Sequence, residues 1–144
     1  MKNVYYVDSC IWLNLFKKEG DEKKGKPYWK IARDFLEMVE KNRDEVVVFT
    51  IVIKEISFKA DDKLEMIINF LKNENYIKII KTKNEDYDFA RFFERKKGNK
   101  LSFYDFLHVA VSYRLNAYLI TRDKELIDAC KNIINVCKPE ELIS

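Results

Sequence analysis

Glycine and proline are scarce in this 144-residue chain, at three and two residues, which excludes collagen-like, flexible-linker and glycine-cradle architectures. Cysteine is scarce as well. Cys10, Cys130 and Cys137 are an odd number without a short paired spacing, which argues against a disulfide framework or a zinc site and suits a reducing cytoplasm. Long apolar runs are missing: none exceeds about half a dozen residues, against the ~20 needed to span a bilayer, so no membrane association is expected. Asp8 interrupts the only early apolar stretch, so no signal peptide is expected either. There is no excess of one charge, because 27 Lys and Arg face 24 Asp and Glu for a net +3, and a polybasic binder held by bulk charge is excluded. Core material is what the chain has. Hydrophobic residues make up 47% and aromatics 14%, enough for a single compact domain over 1–144.

Residues 4–7 read as a short strand ending at Asp8, with Ile11, Trp12, Leu15 and Phe16 in helical spacing behind it. Segment 17–27 is charged, contains Gly20 and Gly25, and reads as an exposed insertion. Its spacing imitates a phosphate-binding loop, but Pro27 lacks the hydroxyl that would hold Mg²⁺, and Asp21 and Glu22 would repel a phosphate. A helix is expected from Tyr28 to about Lys41. Residues 46–49 are four apolar residues without alternation, as in a strand buried on both faces. Thr50 is placed as the N-cap of a helix over 51–60, and Asp61 or Asp62 as the cap of the next. Further on come an edge strand at 77–80 and a helix over 85–97 with Phe89, Phe92 and Phe93 inward. An apolar helix at 102–116, a strand at 117–120, a short helix from 124 to about 131 and a strand at 133–136 complete the chain. This alternation predicts an α/β sheet with helices on both faces.

In an open parallel sheet, ligands bind outside the carboxyl ends of the strands. Asp8 closes the first strand, Glu55 lies early in the helix after the second, Asp105 opens the apolar helix, and Asp123 follows the 117–120 strand. All four therefore point to one sheet edge. Each has a bland alternative. Asp8 and Asp123 could be N-caps, Ser102 to Asp105 fits a capping-box spacing, and Glu55 could pair with Lys59 one turn on. Yet Glu55 and Asp105 are flanked by apolar residues, and desolvated carboxylates are costly without a cation. His108, the sole histidine, lies one turn after Asp105. That spacing serves carboxylate-bridged metal sites only when a second copy exists, so His108 reads as a packed or hydrogen-bonded core residue. Clustered carboxylates are hard oxygen donors suited to Mg²⁺ or Mn²⁺, and the chemistry they support is metal-assisted phosphodiester hydrolysis.

Four segments, Val4-Tyr5-Tyr6-Val7-Asp8-Ser9-Cys10, Lys54-Glu55-Ile56, Ser102-Phe103-Tyr104-Asp105-Phe106-Leu107-His108 and Thr121-Arg122-Asp123-Lys124-Glu125-Leu126, resemble in order and spacing the PIN-domain nucleases. The likeness spans about residues 3 to 138 and is greatest to the VapC-type toxins of type II toxin–antitoxin pairs. It implies a three-layer α/β/α sandwich around a mainly parallel five-stranded sheet, Mg²⁺ or Mn²⁺ dependence, and cleavage of single-stranded or loop RNA. It also implies a homodimer and a small antitoxin partner. By position, Asp8, Glu55, Asp105 and Asp123 match the family's acidic cluster, and Thr121 its accompanying hydroxyl residue. The long charged insertion at 17–27 departs from the usual pattern.

Two basic groups could hold RNA phosphates around such a cleft. Arg91, Arg95, Lys96, Lys97 and Lys100 precede Asp105, and Lys17, Lys18, Lys23, Lys24, Lys26 and Lys30 lie in and beside the insertion. Tyr28, Trp29, Phe103 and Tyr104 are candidates for base stacking. The competing reading is a non-catalytic RNA-binding or assembly module with the same fold. A receiver-like signalling domain is disfavoured, because the third strand leads to Lys81 and Thr82 rather than to an aspartate.

Overall fold

Val46, Val47, Val48 and Phe49 are all buried, as consecutive residues of a strand must be when helices cover both of its faces. The computed structural model describes residues 2–20, 25–97 and 101–143. Its strands are β1 (Val4–Val7), β2 (Glu45–Phe49), β3 (Ile77–Ile80), β4 (Tyr118–Ile120) and β5 (Val136–Cys137). They form one sheet in the order β3-β2-β1-β4-β5, parallel at every pairing. Among the described residues the α-helices are α1 (Ser9–Phe16), α2 (Tyr28–Lys41), α3 (Thr50–Lys59), α4 (Leu64–Asn73), α5 (Asn84–Lys97), α6 (Phe103–Leu115) and α7 (Lys124–Cys130).

Two neighbouring residues of β1 show the layering. Tyr5 meets Phe35 of α2 edge to face at 5.4 Å, whereas Tyr6 stacks on Phe49 and turns its edge to His108 of α6. Successive strand residues face opposite sides, so α2 and α6 cover opposite faces and the fold is the expected three-layer α/β/α sandwich. Trp12, Phe35, Tyr6 and Phe49 are the largest fully buried side chains of the core. No described helix is long and apolar enough to cross a membrane.

Several boundaries differ from the sequence reading, each for a local reason. Phe49, extended at the end of β2, holds the N-cap position, and Thr50 is already helical. Asp61 and Asp62 lie in a 3₁₀ turn (Asp61–Lys63), which leaves Lys63 rather than an aspartate before α4. Residues 133 and 134 spend their N–H groups on the Cys130 carbonyl that closes α7, so β5 begins only at Val136. Phe92 points outward at 51% exposure under the Lys96 ammonium, while Phe89 and Phe93 pack inward with Tyr113 against Phe89.

One buried ion pair joins α5 to α6. Asp86 is 1% exposed and accepts from Arg114 Nε at 2.8 Å and Nη2 at 3.0 Å, and the same carboxylate caps α5 through the Lys83 N–H. Removing one partner of a buried pair strands the other charge. Arg114→Met is expected to lower unfolding free energy by about 3 kcal/mol, measured by urea denaturation; a loss below about 1 kcal/mol, the scale of an exposed pair, would contradict this assignment.

Candidate metal centre

The chain builds β1, moves outward through β2 and β3, and returns to the other side of β1 as β4. Strand order reverses there, and such a reversal opens a crevice at the carboxyl ends of the two central strands. Asp8 leaves β1 at this point with its N–H on the Ile120 carbonyl of β4 at 3.0 Å. Its side chain caps α1, Oδ1 accepting from Ser9 N–H at 2.7 Å, while Oδ2 accepts from the Thr121 hydroxyl at 2.8 Å. Thr121 in turn accepts from the Asp123 N–H at 3.2 Å, and Asp123 caps α7 through the Leu126 N–H. Asp105 closes a capping box with Ser102 at the start of α6. The capping roles of three acids are therefore real, and they aim the acids rather than disperse them. All four predicted carboxylates line one cleft of about 330 Å³.

Glu55 does not take the alternative pairing with Lys59 that helical spacing offered. No Glu55–Lys59 ion pair forms among the described residues; Glu55 Oε1 instead lies 2.9 Å from Nε2 of His108, a close contact short of hydrogen-bond alignment. His108 is 1% exposed, its Nε2 lies 3.8 Å from Asp8 Oδ1, and its Nδ1 is 2.5 Å from the Tyr6 hydroxyl. Ligand atoms of Asp8, Glu55 and His108 all lie within 4.8 Å of one another. Asp105 and Asp123 stand outside this tight group, on the cleft wall. His108 is thus the hydrogen-bonded core residue expected from sequence, but it also touches the site. Its helical spacing from Asp105 was the available signal. Nothing in the sequence pointed to Tyr6.

The electrostatics follow from burial and crowding. Desolvation raises the Asp105 carboxyl pKa against its hydrogen bonds to Ser102 and the attraction of His108, with the Asp123 charge adding to the rise. Burial pulls His108 down, but contact with Glu55 and the charges of Asp8, Glu55 and Asp105 outweigh it, leaving the imidazole above its usual value. Burial and the nearby Asp8 and Glu55 charges push the Tyr6 phenol well up. Cys10, whose Sγ is 3.7 Å from both Asp8 Oδ2 and Thr121 Oγ1, is pushed up to about 12 by burial and by Asp8. Two cations, Lys59 and Arg122, reach the cleft wall. Arg122 is committed to Asn14, Glu140 and the Tyr28 ring. Four carboxylates therefore face little free positive charge, and their hard oxygen donors fit Mg²⁺ or Mn²⁺.

The predicted basic and aromatic residues are only partly free. Arg91 lies 5.0 Å over the ring of Phe103, which places it beside the first turn of α6, and Lys96 lies over Phe92. Arg95 is exposed on α5. Trp29 carries Lys18, Lys30 and Arg33 over its ring, and Phe103 stacks on Tyr87, whereas Tyr104 is 45% exposed. Lys23, Lys24, Lys100 and the side chain of Lys97 lie outside the described residues.

The PIN domain family model matches residues 5–132. In structure the chain is similar to VapBC2 from Rickettsia felis bound to a promoter DNA fragment, with a TM-score of 0.67 at 17% identity over 94% of this chain and 98% of that one. It is similar also to a toxin–antitoxin complex from Klebsiella pneumoniae, with a TM-score of 0.64 at 18% identity over 94% and 97%. A third likeness is to Mycobacterium tuberculosis VapC20, described as a sarcin–ricin loop cleaving toxin, with a TM-score of 0.61 at 14% identity over 87% and 94%. At such identities the likeness is one of fold. No curated protein sequence matches the chain.

Thr121 is 0% exposed and its hydroxyl serves Asp8 and Asp123 at once. Thr121→Val keeps the shape and leaves an acceptor and an N–H without a partner, so a stability loss of about 1–3 kcal/mol is expected in urea denaturation. A variant as stable as the parent would show that the hydroxyl does not organise the site.

Proposed function

The chain belongs to the PIN-domain family, and from that premise we propose that it is a Mg²⁺- or Mn²⁺-dependent ribonuclease that hydrolyses phosphodiester bonds of single-stranded or loop RNA. The convergence of Asp8, Glu55, Asp105 and Asp123 on one cleft at the strand-order reversal carries this reading. Likeness in fold to the Rickettsia felis and Klebsiella pneumoniae complexes and to the sarcin–ricin loop cleaving VapC20 supports a role as the toxin of a toxin–antitoxin pair. On the same basis a small antitoxin is the partner; from the family resemblance we further propose a second copy of the chain as partner, one nuclease domain over residues 1–144 and the cytoplasm as compartment.

Asp8, Glu55, Asp105 and Asp123 would hold the divalent ion, which when bound would supply Lewis-acid polarisation of the phosphodiester and activation of water. The side chains set the stage for that chemistry. Asp8 and Glu55, the two acids of the tight group, are the central ligands, and Asp105 and Asp123 extend the anionic wall. Thr121 fixes the Asp8 rotamer and ties the Asp123 backbone to it. Burial and the Asp8 charge push the Cys10 thiol up, which disfavours the thiolate, and water is assigned as the nucleophile in this reading. Arg91, beside the first turn of α6, is the basic residue best placed to hold a backbone phosphate, and Arg95, Lys96, Lys97 and Lys100, which follow it in sequence, are proposed to assist.

Purified protein is expected to cut single-stranded RNA with Mg²⁺ or Mn²⁺ and to stop in EDTA. Asp8→Asn keeps an acceptor for the Ser9 N–H and removes the charge, so the variant should fold normally while cleavage falls by about 100-fold or more. Cleavage by this variant at the parent rate, from a parallel preparation, would contradict the site. RNA bound but left intact with and without metal would favour a non-catalytic RNA-binding module.

A further inference from the structure

Three of the four carboxylates are held by backbone N–H groups at helix starts: Asp8 by α1, Asp105 by α6 and Asp123 by α7. Glu55 has no such support. It lies in the second turn of α3, and among the described residues the only polar group close to its Oε1 is His108 Nε2. We propose that Tyr6 and His108 form a positioning device for Glu55, holding one carboxylate oxygen from inside the core so that the other is presented to a divalent cation. This inference rests on the metal-dependent reading above and extends it to two residues that do not face the cleft.

The geometry places His108 behind Glu55 rather than beside the cation. His108 is 1% exposed, and the cleft is lined by Glu55 but not by His108. Oε1 of Glu55 and Nε2 of His108 are both shut in, while the Glu55 side chain as a whole is 29% exposed, and on that basis Oε2 is assigned as the oxygen that faces the cleft. The proton on Nε2 follows from what surrounds the ring. A lone pair 2.9 Å from a carboxylate oxygen would be repelled, whereas an N–H attracts it. The neutral ring with the Tyr6 hydroxyl donating to Nδ1 meets this condition. The charged ring, with Nδ1–H donating to the Tyr6 oxygen, meets it too. Tyr6 is itself immobile: it is fully buried on central strand β1, its ring stacks on Phe49 at 5.1 Å, and the His108 ring meets it edge-on at 5.5 Å. The chain of contacts thus runs from the centre of the sheet through a phenol and an imidazole to one carboxylate.

The alternative is that Nε2 itself ligates the cation. In that case Oε1 and Nε2, 2.9 Å apart, would share one ion, and an all-oxygen site would become a mixed nitrogen and oxygen one. Mn²⁺ binding to the full chain without RNA separates the two, read by calorimetry and by electron spin echo spectroscopy for nitrogen coupling. His108→Leu removes the donor; His108→Gln restores an N–H near the place of Nε2; Tyr6→Phe removes only the hydroxyl that orients the ring. Wild type is expected to bind Mn²⁺ without directly coordinated nitrogen. His108→Leu should raise the Mn²⁺ Kd about 10- to 100-fold, the usual cost of losing an outer-shell partner. Tyr6→Phe should raise it about 3-fold or more, and His108→Gln should stay within about 3-fold of wild type. Tyr6→Phe keeps the test intact should His108→Leu fail to fold. Directly coordinated nitrogen in wild type overturns the proposal, as does an unchanged Kd in Tyr6→Phe or a His108→Gln variant as weak as His108→Leu. Wild type that binds no Mn²⁺ overturns the metal-dependent reading and this one with it, whereas tight binding indifferent to these substitutions overturns this one alone.

Discussion

Four carboxylates share the mouth of one cleft between the ends of β1 and β4, and the mutual repulsion this creates is the constraint that the surrounding structure answers. Each acid is stabilised locally and aimed in the same stroke. Helix starts carry unpaired N–H groups and a partial positive charge, and Asp8, Asp105 and Asp123 occupy three of them. A parallel sheet with right-handed crossovers brings such helix starts to the carboxyl edge of the strands. Capping and convergence are therefore one feature. The capping reading and the ligand reading of these residues, alternatives when the sequence is considered alone, turn out to be compatible.

Glu55 is the exception that explains the buried polar residues behind the site. It lies too far into α3 to use a helix start, and it reaches the cleft across a neighbouring strand. An imidazole on α6 and a phenol on β1 stand where a purely apolar core would otherwise close up. Burial of His108 opposes its charge, and the surrounding acids more than offset that opposition, so the interior around this ring is built for negative neighbours. Thr121, just past the end of β4, does for Asp8 what His108 does for Glu55 from α6, with the difference that its hydroxyl also fixes the backbone of Asp123.

Much of this was legible in the sequence because the signals are local. Runs such as Val46 to Phe49 without polar alternation marked strands buried on both faces, and the spacing of Ile31, Phe35, Leu36 and Val39 marked α2 over its whole length. Asp8, Asp105 and Asp123 could be placed on one edge because each directly followed a strand or opened a helix, and Glu55 because its helix follows β2 without a break. What was not legible depended on partners distant in the chain. Tyr6 and His108 are 102 residues apart, and an aromatic in a β-rich run reads as core until the imidazole beneath it is known. The Glu55–Lys59 alternative rested on helical spacing alone, and a tertiary contact takes its place. Phe92 fell outside the core because Phe89 and Phe93 already fill the inward face of α5, a choice that spacing among three phenylalanines does not make. The late start of β5 reflects a helix end that draws on the backbone of residues 133 and 134.

We propose that the acidic crowding at the strand-order reversal serves to hold a divalent cation. Anomalous scattering from crystals grown with Mn²⁺ tests it without reference to any substrate. A peak is expected inside the cleft, within bonding distance of Asp8 and of the outward oxygen of Glu55, with His108 still seated behind that carboxylate. A cleft without such a peak at saturating Mn²⁺, its four acids relaxed away from one another, would contradict it.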